Sequence, residues 1–99
     1  MSPSTSDSWF LVVSYDVRDD RRRAKVLRTM KDFGERVQYS VFECRLDDKE
    51  YALMSRRLAR LIDVKADSVR VYRLCEGCLK RIEFVGLGRI AEDEEVYVV

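Results

Sequence analysis

Arg36-Val37-Gln38-Tyr39-Ser40-Val41-Phe42-Glu43-Cys44-Arg45-Leu46 is the stretch on which the fold turns. It reads as a strand, with Val37, Tyr39 and Val41 on one face and Gln38, Ser40 and Phe42 on the other. If it bends, or splits into two paired strands, the element order along the chain becomes βαββαβ, the ferredoxin-like arrangement. The expected fold class is then α+β, an antiparallel sheet with helices on one face and the other face open.

The flanking segments fit that order. Upstream, Trp9 to Asp16 is apolar at nearly every position, which suits a central strand covered on both faces. Asp19 or Asp20 can cap the helix that follows by accepting its free amide protons. Val26, Leu27, Met30 and Phe33 form the apolar stripe of that helix, and Gly34 stops it. Downstream, Asp47-Asp48 makes a turn and cap. Tyr51, Met54, Leu58, Leu61 and Ile62 give a second amphipathic helix, with Arg56, Arg57 and Arg60 on its outer face. Asp67 to Cys75 is a clear strand. Arg81 to Val85 reads as a further strand ended by Gly86 and Gly88, and Val96 to Val99 as a short apolar tail with strand character. The chain divides into a polar extension at 1–8, expected to be disordered, a ferredoxin-like domain at 9–91, and an acidic and apolar tail at 92–99.

Composition narrows the chemistry. Ninety-nine residues, 46% of them hydrophobic and only one Pro, make one compact domain. The net charge is +1, but its distribution is uneven. Arg18 to Arg36 carries eight basic and four acidic side chains, while Glu92-Asp93-Glu94-Glu95 is wholly acidic. A basic face and an acidic tail suggest two partners, or one partner and self-association; the plain alternative is that these charges solvate helix faces. Met1 to Ser8 has neither the basic start nor the apolar stretch of a secretory signal. No apolar run approaches the roughly 18 residues of a membrane span. A reducing cytoplasm is the expected location for this three-cysteine chain.

The chain has no His, which removes Ser-His-Asp and Cys-His sites. Hydrolysis here would rest on a carboxylate, a metal or both. Asp16 closes the first strand beside the block Arg21-Arg22-Arg23-Ala24-Lys25. A carboxylate at a strand mouth can hold a divalent cation while neighbouring Arg forks hold phosphates. The competing reading is that Asp16 helps to cap the next helix, although Asp19 and Asp20 are better placed for that.

Tyr15-Asp16, the Asp19-Asp20-Arg21-Arg22-Arg23 block with Lys25, and above all Arg36 to Glu43 resemble the CRISPR-associated protein 2 family. The resemblance runs from about Trp9 to Leu87 in order and spacing, and includes Leu74-Cys75-x-x-Cys78. It implies a ferredoxin-like symmetric homodimer in which the segment after the last core strand, here Arg81 to Val99, crosses onto the partner's sheet. It implies that Asp16 of two subunits shares a divalent cation, Mg²⁺ or Mn²⁺. It also implies two roles in spacer acquisition. One is metal-dependent endonuclease action on single-stranded RNA or double-stranded DNA. The other is a non-catalytic bridge between copies of the CRISPR-associated protein 1 integrase, with duplex DNA on the basic surface. The extension at Met1 to Ser8 and the acidic run at Glu92 to Glu95 depart from the family pattern.

By the same resemblance Arg23, Lys25 and Arg36 match positions near the catalytic Asp, and Ser40 and Phe42 lie in the matching strand motif. Arg forks stabilise the charge that builds on phosphorus. Ser40 could position a water. Phe42 could contact nucleic acid, but core packing is the stronger reading for it. Arg21, Arg22, Arg23, Lys25, Arg56, Arg57 and Arg60 are candidate nucleic-acid contacts, set against plain solvation. Cys75-x-x-Cys78 lacks the four ligands of a structural zinc site within one chain, since only Cys44 remains, and reads as buried thiols or an adventitious disulfide. An RNA-binding ferredoxin-like module would place a Gly and aromatic motif on a central strand, and Val37 to Glu43 has no such Gly pattern.

Overall fold

The computed structural model describes residues 8–83, 85 and 86. The extension at 1–8, Ser8 apart, and the tail at 92–99 lie outside the described residues. The elements are β1 (Trp9–Asp16), α1 (Asp20–Met30), β2 (Gly34–Gln38), β3 (Val41–Leu46), α2 (Asp48–Leu61), β4 (Ser68–Leu74) and α3 (Glu76–Leu79). The four strands form one sheet in the order β2-β3-β1-β4, with every pairing antiparallel.

β1 is central, as its apolar run requires, but its two faces differ. Leu11, Val13 and Tyr15 point into the main core with Val26 and Met30 of α1, Phe42, Cys44 and Leu46 of β3, and Met54 and Leu58 of α2. On the other face only Phe10 is fully covered, by Leu79 with Val12, Leu74 and Ile82 around it. Asp16 at the far end is exposed. The expectation of cover on both faces therefore holds at one end of the strand only.

Asp19 caps α1, its carboxylate accepting the Arg22 N–H at 2.9 Å, and Asp20 complements the helix dipole in the first turn. The helix ends at Met30 rather than near Phe33. Its last amides switch to bonds three residues back, from Asp32 to Thr29 and from Phe33 to Met30. Gly34 is the first residue of β2 and not a helix stop. A Cβ there would collide with the Cys44 Sγ and the Glu43 carbonyl oxygen, so glycine is needed for β2 to approach β3.

Arg36 to Leu46 is split into two paired strands, with Tyr39-Ser40 as the turn between them. The register slips between Arg36 and Gln38: Arg36 faces Phe42 and Gln38 faces Val41. This bulge overturns the simple alternation across the stretch. Gln38 shares a face with Val41, not with Phe42, and Ser40 lies in the turn. α2 begins with a capping box, in which Asp47 accepts the Glu50 N–H and Glu50 accepts the Asp47 N–H, both at 2.8 Å.

The strand expected at Arg81 to Val85 is not formed by the described residues of this chain. Cys75 caps the short α3 instead, and Leu79, Lys80, Arg81 and Ile82 send their N–H groups back to Cys75, Glu76, Cys78 and Leu79. Amides spent on these turns are not free for a sheet ladder. Ile82 packs at the edge of the Phe10–Leu79 cluster.

Candidate functional site

The outer face of the sheet, opposite α1 and α2, carries Phe10, Val12, Ser14 and Asp16 of β1 in sequence. Cross-strand partners extend each row: Leu74 and Arg45 beside Phe10, Tyr72 and Glu43 beside Val12, Arg70 and Val41 beside Ser14, and Ser68 beside Asp16. The face thus runs from an apolar end, roofed by α3, to a polar end with Ser14, Asp16, Ser68 and Arg70. Arg45 joins the roof to the sheet by pairing with Glu76 at 2.9 Å. Arg70, one row from Asp16, was not singled out from the sequence. Its only signal there was a basic residue at an alternate position of an apolar strand.

Among the described residues the Asp16 carboxylate has no hydrogen-bond or ion-pair partner. It is a hard oxygen donor held at the end of a rigid strand, and so fits as a ligand for Mg²⁺ or Mn²⁺. One chain supplies no more than that: among the described residues no group of three or more Cys, Asp or Glu could hold a metal ion.

Of the other expected site residues, Arg23, Arg36, Ser40 and Phe42 lie around Tyr15 on the inner side of the same strand end, while Lys25 lines the groove between the helices. Tyr15 is buried, and its ring stacks on Phe42 with centroids 6.3 Å apart. Burial raises the Tyr15 phenol above its ordinary value, against the opposing fields of Arg36 and Arg23. Arg23 donates to the Val17 carbonyl at 2.9 Å and pairs with Asp20. Arg36 donates to the Tyr39 carbonyl at 3.0 Å and stacks over the Tyr39 ring. Ser40 accepts the Tyr15 N–H through its carbonyl at 3.1 Å. Phe42 has no exposed surface and belongs to the core, as its preferred reading had it.

Arg22 is tied down. Its guanidinium makes a forked pair with Asp67, at 2.8 and 3.2 Å, and the Asp67 side chain is fully shielded from solvent. The Arg18 and Asp63 backbone N–H groups also donate to Asp67. Arg22 first, then these donors, hold the Asp67 carboxyl well below the usual carboxylate range. Asp67 thus locks the β1–α1 junction to the entry of β4. The sequence showed it only as the start of a strand, because its partner lies 45 residues away.

Arg21 and Lys25 are exposed on α1, and Arg56 and Arg60 on α2. Arg57 is engaged between the helices, pairing with Asp32 at 3.0 Å and stacking over Phe33. Lys25, Arg28, Lys31 and Arg57 line an open groove between α1 and α2, on the helical side of the molecule. Cys75 and Cys78 are exposed free thiols and Cys44 is buried in the core, so the expectation of buried thiols at Cys75 and Cys78 is corrected. No helix among the described residues is long and apolar enough to cross a membrane.

Comparison with known proteins gives one consistent result. The family model described as CRISPR associated protein Cas2 matches residues 9–82. A Chloroflexus aurantiacus protein named CRISPR-associated endoribonuclease Cas2 3 is 43% identical over 90 residues, covering 91% of this chain and 97% of its own. The crystal structure of Streptococcus pyogenes Cas2 at pH 6.5 superposes with a TM-score of 0.69 at 36% identity, over 78% of this chain and 99% of that one. A chain of a partial Cas6-RT-Cas1–Cas2 complex superposes with a TM-score of 0.65 at 26% identity, over 78% of this chain and 90% of that one.

Proposed function

This chain belongs to the CRISPR associated protein Cas2 family, and from that premise we propose that it acts in spacer acquisition as a homodimeric, metal-dependent endonuclease. The observation that carries the reading is Asp16, an exposed carboxylate at the end of a central strand without a partner among the described residues. It stands at the bare end of a sheet face suited to meeting a second copy. The curated Chloroflexus relative is named an endoribonuclease, which supports phosphodiester hydrolysis as the reaction.

In this reading Asp16 of each subunit is a ligand for Mg²⁺ or Mn²⁺. A bound divalent ion supplies Lewis-acid polarisation of phosphate and a more acidic water. The protein's own side chains bind and orient. Arg70 stands one row from Asp16 and offers a fork to a phosphate oxygen. Arg23 holds the Val17 carbonyl just after β1, and Arg36 holds the Tyr39 carbonyl in the β2–β3 turn. Arg21 and Lys25 add positive charge along α1 for a nucleic-acid backbone.

A second reading keeps the dimer and the basic surface but drops catalysis: the protein bridges copies of the Cas1 integrase on DNA. The likeness to a chain from a Cas1–Cas2 complex favours it. One experiment separates the two. Purified protein and Asp16→Asn are assayed on single-stranded RNA and duplex DNA, with Mg²⁺ and with chelator, beside a Cas1–DNA bridging assay. Cleavage that needs both metal and Asp16 supports the enzyme. Bridging without cleavage under any condition leaves the scaffold. Cleavage that survives Asp16→Asn refutes the metal site.

A further inference from the structure

The thiols of Cys75 and Cys78 take no part in the proposed function, yet they are arranged for chemistry. They are free and exposed, whereas Cys44 is 1% exposed within the main core. They occupy the cap and the third residue of α3, positions whose side chains share one helix face. The Cys75 Sγ already points at its neighbour and accepts the Cys78 N–H at 3.4 Å. That bond and a second one from the Cys78 thiol lower the Cys75 thiol from its ordinary value, while the Cys75 sulfur raises that of Cys78. One thiol is the readier nucleophile and the other holds its proton. Gly77 stands between them. A Cβ there would lie 3.8 Å from the Cys75 sulfur, an ordinary contact distance. Cys75, the N-cap with extended backbone, brings its sulfur against the amide of the third helical residue, Cys78, and the disulfide needs their Cβ atoms about 3.5–4.5 Å apart.

We propose that Cys75 and Cys78 form a reversible dithiol–disulfide site that reacts with small-molecule disulfides of the glutathione class. The Cys75 thiolate attacks one sulfur of the disulfide, forms a mixed disulfide and releases the first thiolate. Cys78 gives its proton to solvent and attacks the Cys75 sulfur, expelling the second thiolate. The protein loses two electrons and two protons, and the small disulfide becomes two thiols. The closed ring spans the turn that roofs the outer sheet face, where Leu79 covers Phe10 and Glu76 pairs with Arg45. Oxidation therefore staples that roof, and excess thiol releases it.

The test uses the whole protein in graded mixtures of reduced and oxidised glutathione, quenched by alkylation and read by intact and peptide mass. The expected result is paired loss of the Cys75 and Cys78 thiols, no persistent glutathione adduct, and full reversal by dithiothreitol. Cys78→Ser should accumulate one adduct on Cys75. Cys75→Ser should react more slowly than Cys78→Ser, because only the Cys75 sulfur accepts the backbone N–H of residue 78. Two separate glutathione adducts on the native chain, a chain-to-chain disulfide as the main product, or equal rates for the two variants would each overturn the proposal.

Discussion

The two faces of β1 carry opposite burdens. Its inner residues, Leu11, Val13 and Tyr15, are almost wholly removed from water by two helices. Its outer residues pass from buried Phe10 to exposed Asp16 within the length of one strand. The inner face contributes stability through apolar area. At its polar end the outer face contributes little stability, which leaves Ser14, Asp16 and Arg70 available for binding. A strand can serve both purposes because successive side chains point to opposite sides of the sheet.

The largest effect should come from the inner face. Phe42→Ala removes a fully buried ring between Tyr15 and the helices, and should cost about 3–5 kcal/mol in urea unfolding. An intact stability with lost nuclease activity would instead move Phe42 from the core to the site and break the comparison.

Asp16→Asn tests the outer face. Nuclease activity should fall at least about a hundredfold, equivalent to about 2.7 kcal/mol in the barrier, while unfolding stability stays within about 0.5 kcal/mol. A large loss of stability would show that the polar end bears structural weight after all.

Asp67→Asn probes the seam between the faces. The carboxylate's pKa is depressed by Arg22 and the surrounding N–H groups. A depressed pKa means that its stabilisation is fully present above the ordinary Asp value of about 4 and is lost as pH falls below that toward the folded value. Thermal unfolding should therefore show a Tm lowered by several degrees at neutral pH, and a flatter fall in stability below about pH 4. An unchanged acid limb would mean that other carboxylates dominate it.

The smallest effect belongs to the exposed charges. Replacing Arg21 and Lys25 by Gln should leave folding unchanged. It should lower the slope of log affinity for duplex DNA against log salt by about 0.9 for each lost phosphate contact. Arg22→Gln should act mainly on stability, since Asp67 already holds its guanidinium. A larger change in salt slope for Arg22 than for Arg21 and Lys25 would reverse that assignment.

Much of this was legible in the chain. The bounds of β1, a cap at Asp19 or Asp20, a cap at Asp47-Asp48 and the stripe through Met54 and Leu58 follow from local rules of alternation, helical spacing and capping, which act over a few residues. The family motif marked Asp16 for the same reason: it is a short contiguous pattern. What local rules could not supply was partnership across the chain. The bulge at Arg36 to Gln38 depends on how β2 meets β3, and Gly34 on how closely it must do so. The pairing of Arg22 with Asp67 depends on β4 returning beside β1, and it gives one arginine of the basic block a structural partner. α3 arises because Cys75 caps a turn whose Leu79 finds Phe10. Sequence alone determined which segments fold and which side chains carry charge or a reactive sulfur. Tertiary structure decided which of those groups are consumed by one another and which remain exposed, because a charge or an amide satisfied by a distant partner looks the same in sequence as one left to solvent.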